Sequence, residues 1–193
     1  MNKVTLGPRV MLYPLPAVLV GANVDDKPNF MTAAWCGIVN SEPPMLSVSV
    51  RPIRYTHKGI TQNMTLSINI PSATQAKETD YCGVISGAKT DKIKNCRFTI
   101  FYGKLKTAPL IEECPVNLEC KVIHTLTLNS HTLFVCQIEE TYISESGLTD
   151  NKPDVQKMNP IVFTTEPRQY YSIGNVTAQA YSIGMEIEQK KNK

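Results

Sequence analysis

The chain has 193 residues, of which 42% are hydrophobic and 19% charged, with 10 Gly and 13 Pro. That is the make-up of a single globular domain and excludes disordered, collagen-like and coiled-coil chains. The formal charge of +3 sits at the end of the chain, in a solvated tail of Lys190, Lys191 and Lys193; the other basic side chains balance the 17 acidic ones, which excludes a basic footprint for nucleic acid.

At the N-terminus Lys3 and Arg9 are followed by prolines 8, 14 and 16, which interrupt any secretory core, and no apolar run approaches the ~18–20 residues of a membrane span. A cytoplasmic protein without membrane association is the expectation. Arg9–Tyr13 and Ala17–Ala22 read as strands on either side of Pro14-Leu15-Pro16, and Ala33–Val39 reads as a third. In Met45–Val50, Leu46, Val48 and Val50 alternate with Met45, Ser47 and Ser49, the period of a strand with one apolar face. Leu66–Ile70 repeats that pattern, and Thr56 is positioned to cap a short helix over 57–63. Ser72-Ala73-Thr74-Gln75 is a capping box leading into a helix to about Cys82, and Thr90-Asp91-Lys92 is a second helix start. Val116–Val122 alternates again, Asn129-Ser130-His131 forms a hairpin turn, and Thr132–Ile143 and Pro160–Thr164 complete the strands. Many short strands with few helices give a mainly β fold, a barrel or sandwich with peripheral helices.

Six cysteines (36, 82, 96, 114, 120 and 136) contain no C-x-x-C pair, their spacings are irregular and several occupy apolar positions of strand-like runs, so buried free thiols are expected rather than a disulfide frame or a zinc site. G-x-S-x-G, Walker, H-E-x-x-H and G-x-G-x-x-G motifs are absent, and the three histidines are far apart. An enzyme built this way needs a borrowed cofactor for its chemistry.

Two segments suit a ligand. Lys27 to Gly37 places Asn29, Met31, Thr32, Ala33, Ala34 and the single tryptophan, Trp35, on the exit from a turn; small side chains let a flat heterocycle meet the backbone, or equally let a barrel strand fit a tight corner. Ser49 to Lys58 delivers Arg51 and Arg54 beside Thr56 at a helix start, where free N–H groups and a guanidinium favour phosphate; a plain helix cap with solvated arginines reads the same. Lys92 is either a second cationic contact or a solvated lysine, His131 is a turn residue, and Phe163 a core aromatic.

In order and spacing these segments resemble the flavin reductase-like family of FMN-binding split barrels, and its flavoredoxin branch most. The resemblance rests on Pro14-x-Pro16, Asn29 to Trp35, Ser41 to Val50, Arg54-Tyr55-Thr56, Leu66 to Pro71 and Ser86-Gly87-x-x-x-Asp91-Lys92, and covers roughly residues 8–165. It implies a split β-barrel domain over 1–165 with 166–193 as an unassigned extension, a homodimer, and FMN held noncovalently. Asn29 and residues 31–35 would line the isoalloxazine with Val50 close by. Arg54, Thr56 and Lys92 would hold the phosphate or ribityl chain, and His131 and Phe163 would complete the pocket from the same chain or across the dimer. No side chain acts as general acid or base in this reading. The implied activity is a flavoprotein oxidoreductase passing electrons from NAD(P)H to flavin or another acceptor. The alternatives are an electron carrier docking with a redox protein, and a barrel that has lost FMN.

Overall fold

The structure, a computed structural model, describes residues 1–189; the lysine tail lies outside the described residues. Strand β1 is only Leu15–Pro16. Arg9–Tyr13, expected as a strand, is exposed and unladdered, because side chains tie it down: Thr165 Oγ1 donates to Val10 O (2.9 Å), Tyr13 Oη donates to Glu166 O (3.0 Å), and Arg9 pairs with Glu166 (3.2 Å).

β2 (Val18–Val24) is buried along its whole length and turns through Asp25 and Asp26, with φ of 50° and 62°, into β3 (Lys27–Ala33). Two left-handed residues between paired strands make the tight hairpin whose twist matches its flanks. The expected strand over 33–39 is instead two pieces: β3 ends at Ala33, Ala34-Trp35 forms a break, and β4 (Cys36–Ser41) pairs with β5 (Pro44–Val50). α1 (Tyr55–Asn63) follows and packs on β2 so closely that a Cβ on Gly59 would lie 2.2 Å from Asn23 O. Its N-cap is Arg54, which corrects the expectation for Thr56: that residue lies inside the first turn, 1% exposed, its hydroxyl accepting from Asn29.

β6 (Thr65–Ile70) turns Leu66 and Ile68 into the main core with Leu46, Val48, Val50 and Phe134. α2 (Ala76–Val84) starts as the sequence predicts, with Ser72 N donating to Gln75 Oε1 (2.9 Å), and runs slightly past Cys82. α3 (Lys92–Cys96) is capped by Asp91, which accepts from Lys94 N (3.0 Å), rather than by Thr90. β7 (Ile100–Phe101) and β8 (Leu110–Ile111) pair within a segment that covers the outer side of β6 and β9 (Val116–Thr127). That cover explains why Ser67, Asn69, Asn117 and Glu119, the polar half of the alternating strands, are buried: Asn69 Oδ1 accepts from Ile111 N (2.9 Å), and Glu119 from Lys104 N and Leu105 N (both 3.0 Å). Buried polar atoms need such partners.

β9 and β10 (Thr132–Ile143) form a long hairpin around the predicted 129–131 turn. Beyond it come β11 (Leu148–Thr149), β12 (Lys152–Pro153), α4 (Val155–Met158), β13 (Ile161–Thr164), β14 (Gln169–Ser172) and α5 (Glu186–Gln189). β14 pairs with β13, so regular structure continues past 165, and a small sheet forms in the order β1-β13-β14.

The main sheet runs β3-β2-β6-β9-β10-β5-β4. Its two edges, β3 and β4, are consecutive in sequence and joined by Ala34-Trp35 alone. Ala33 and Cys36 are three steps apart and so at most about 11 Å, which makes the sheet curl until its edges come near each other, while no ladder joins β3 to β4. The result is a barrel with one open seam, and Trp35 stands in it.

Candidate functional site

The seam and the start of α1 frame two cavities along β3. The larger, about 480 Å³, is lined by Asn29 together with Lys27, Tyr55, Gly87, Asp91 and Lys92. The smaller, about 150 Å³, is lined by Met31, Thr32, Ala33, Ala34 and Trp35 from the seam, facing Ser49, Arg51, Arg54 and His131. Asn29 and Met31 are two residues apart on one strand, which sets the cavities about 7 Å apart along it.

The walls of the larger cavity are fixed by hydrogen bonds. Asn29 Nδ2 donates to Thr56 Oγ1 (2.6 Å), and a Cβ on Gly87 would fall 1.8 Å from Asn29 Oδ1, so only glycine lets this loop lie against the amide. Lys92 is 4% exposed, and its Nζ donates to Phe30 O and Cys82 O (2.8 Å each). Burial holds this ammonium below the ordinary lysine value; the Cys82 thiol opposes that, and the nearby Arg54 charge adds to it. An ammonium carries three N–H donors, so one remains beyond the two carbonyls.

At the smaller cavity Trp35 stacks on His131 with ring centroids 4.5 Å apart. Burial and then Arg51 hold the His131 imidazole below its usual value, so it is neutral at pH 7. Thr32 Oγ1 donates to Thr79 O, and Arg54 Nη1 to Gly83 O (2.7 Å). Together these two contacts join the seam and the α1 start to α2.

The structure thus brings together ten of the residues singled out from sequence: Met31 to Trp35, Arg54 and His131 around one cavity, Asn29 and Lys92 around the other, and Thr56 behind Asn29. The grouping differs from the expectation at Arg54, which joins the seam residues; Lys92, for which a solvated lysine was the alternative reading, is buried in the wall of the larger cavity. Val50 and Phe163 line neither cavity. Val50 points into the barrel core because β5 alternates, which turns its neighbours Ser49 and Arg51 toward the site instead. Phe163 lies in the small sheet opposite Leu15, its ring 5.5 Å from Tyr170. Ser49 and Gly87 were missed as lining residues; the strand period for Ser49, and the glycine in Ser86-Gly87-x-x-x-Asp91-Lys92, were the signals available.

All six cysteines are free, and burial pushes the thiols of Cys36, Cys82, Cys114 and Cys136 up to about 12, so none is an activated thiolate at neutral pH. Among the described residues no group of His, Cys, Asp or Glu is arranged to hold a metal ion, and no helix is long and apolar enough to cross a membrane.

A curled β-sheet with an open seam, beside it a cavity of small residues and two neighbouring cations, buried Lys92 and half-buried Arg54, defines a barrel open along one side. The profile of the Flavin reductase like domain family matches residues 10–173, and the chain belongs to that family. Its fold is the split barrel, shared with a split-barrel protein from Shewanella frigidimarina NCIMB 400 at 16% identity and TM-score 0.77, over 88% of this chain and 87% of that one. The chain is 41% identical to a flavoredoxin from Methanosarcina acetivorans, with TM-score 0.92 over 97% of this chain and 100% of that one. For the flavoredoxin of Desulfovibrio vulgaris (Miyazaki F) the identity is 38% and the TM-score 0.89, over 95% and 100%. The FMN reductase (NADH) RutF of Acinetobacter baylyi is 29% identical over 126 residues, 63% of this chain and 62% of its own length.

Proposed function

We propose that this chain binds FMN across the two cavities and uses it as an oxidoreductase, taking electrons from NAD(P)H and passing them to flavin or another acceptor. The observation that carries the reading is the pair Arg54 and Lys92. They stand on the walls of adjacent cavities, close enough for one charge to lower the other's pKa, and their hydrogen bonds run to carbonyl oxygens rather than carboxylates. A phosphate dianion between them relieves that repulsion, and charge-assisted hydrogen bonds to it are strong. The residues fit such a group: Gly87 keeps the larger cavity open at Asn29, and Lys92 retains one donor.

Arg54 and Lys92 hold the phosphate end, while Thr56 acts through Asn29 by fixing its amide. Met31 to Trp35 offer small side chains and backbone groups to the ring, and displacement of Trp35 from His131 widens the smaller cavity to admit it. Bound FMN supplies the redox chemistry, accepting a hydride or exchanging single electrons. His131, neutral at pH 7, adds no positive charge to that end. A second copy of the chain covers apolar side chains left exposed at the β4 edge (Ile38, Val39) and on the outer half of β9 (Ile123, Leu126), an unprotected edge being a pairing surface. The barrel domain covers 1–165, with the β14 region as its extension, and the protein works in the cytoplasm.

Adding FMN to colourless protein should quench the flavin fluorescence with saturable stoichiometry, and rapid mixing with NADH or NADPH should bleach the flavin band. Flavin that stays free in solution ends the reading. Binding without bleaching selects a carrier that docks with a redox protein, the alternative favoured by similarity to two flavoredoxins over nearly the whole chain.

A further inference from the structure

Trp35 is a wall of two cavities. One is the smaller cavity of the candidate site, about 150 Å³; the other, about 520 Å³, is lined by Val10, Met11, Leu12, Leu15 and Cys36 besides Trp35. The first is below the roughly 300–1,000 Å³ of ordinary ligand sites, so a flat tricyclic ring enters it only if a wall moves. The main chain of Trp35 is fixed, because Ser49 N donates to Trp35 O (2.9 Å). Its ring is held more loosely. Among the described residues the indole Nε1 has no hydrogen-bond partner, and the one ring contact is the stack on His131, 4.5 Å between centroids and tilted by 34°. Rotation about the side-chain torsions therefore moves the ring and leaves the strand edges in place. The second cavity is a standing one, since the segment that carries Val10, Met11 and Leu12 is tied to residues 165–166 through Val10 O and Tyr13 Oη. Val10 and Leu12 are 61% and 80% exposed, so an indole ring laid on them removes wet apolar surface.

We propose that Trp35 is a gate with two seats: stacked on His131 it closes the smaller cavity, and turned outward onto Val10, Met11 and Leu12 it opens that cavity to the flavin head. The proposal rests on the FMN reading above and adds what regulates entry to the site. The flavin head and the inward indole need the same space beside His131, so a ligand in the smaller cavity draws the ring outward by its preference for the open form. Apolar burial on the outer seat offsets the lost stack. Leu12, which lines neither cavity of the candidate site, thereby controls flavin affinity.

Full-length protein grown with 5-fluorotryptophan carries its fluorine at one position, because Trp35 is the single tryptophan. Without flavin, through-space fluorine–proton contacts should run to the His131 ring. FMN should replace them with contacts to the methyl groups of Val10 and Leu12, and His131→Gln should give the same outward contacts with no flavin present. Leu12→Asp, at an exposed position, should keep the urea midpoint of the parent, abolish the outward contacts and weaken FMN binding about tenfold, while Trp35→Ala should speed FMN association about tenfold by removing the closed form. FMN that binds while the fluorine keeps its His131 contacts overturns the gate and leaves the flavin reading standing; outward contacts in His131→Gln with FMN left free in solution keep the two seats and end the flavin reading. An unchanged FMN affinity in Leu12→Asp overturns the proposal. So does a Leu12→Asp effect that appears as a change in assembled mass, which gives the outer cavity to a second copy of the chain.

Discussion

The two cavities hold their walls by different means. At the larger one, Asn29, Thr56 and Lys92 are buried and each is hydrogen-bonded to a neighbour that is itself fixed in a strand or helix. At the smaller one, Trp35 is 40% exposed and rests on His131 at a hairpin tip by ring stacking. A buried polar network resists deformation because each lost hydrogen bond leaves a desolvated group unpaired, whereas a stacked, half-exposed ring moves at little cost. The contrast assigns grip to one end and adaptability to the other, which suits a ligand with a charged tail and a flat head that must meet reaction partners.

The contrast breaks most readily at Lys92. Lys92→Met strands the carbonyls of Phe30 and Cys82 and should lower unfolding free energy by about 2–4 kcal/mol in urea denaturation, together with loss of FMN binding. A variant as stable as the parent would show that the larger cavity is not the rigid end. Gly87→Ala forces a Cβ onto Asn29 and should cost about 1–3 kcal/mol by overpacking, with a flavin affinity at least about tenfold weaker in a fluorescence titration. Arg54→Ala should weaken FMN binding by roughly 1–3 kcal/mol with a smaller change in stability; an unchanged dissociation constant removes that arginine from the site.

Changes at the adaptable end should be gentler. His131→Gln should shift stability by no more than about 0.5 kcal/mol while altering the rate of flavin reduction. Because the folded-state pKa of His131 is depressed below 6.5 by burial and then Arg51, the unfolded chain takes up the proton first. The contribution of the neutral ring is therefore complete above pH 6.5 and fades as the pH falls through the lower, folded midpoint. Trp35 is the single tryptophan, so its fluorescence should titrate with a midpoint below 6.5, a transition that His131→Gln abolishes.

The strands with one apolar face were legible from their period alone, as were the 129–131 hairpin and the Ser72 capping box; of the six free thiols expected to be buried, those at 82, 114, 120 and 136 are, while Cys36 and Cys96 are partly exposed. Caps were less so: Thr56 and Thr90 have the right chemistry for a cap, yet Arg54 and Asp91 take those positions, since local hydrogen-bonding capacity does not say which hydroxyl tertiary packing will claim. Arg9–Tyr13 has strand composition but finds side-chain partners at 165–166 instead of a ladder.

What the amino-acid order determined by itself was the set of strands, the small-residue segment and the cations that follow it, because periodicity, capping chemistry and side-chain size are local properties. The tertiary structure decided that β3 and β4 become opposite edges of one sheet, which turns Ala34-Trp35 into a seam, buries Ser67, Asn69 and Glu119 under a covering segment, and sends Val50 inward while Ser49 faces the cavity. Those outcomes depend on which distant strand lies alongside, and pairing across as many as 92 residues in that sheet, as between Met45 and Gln137, leaves no trace in the spacing of any one segment.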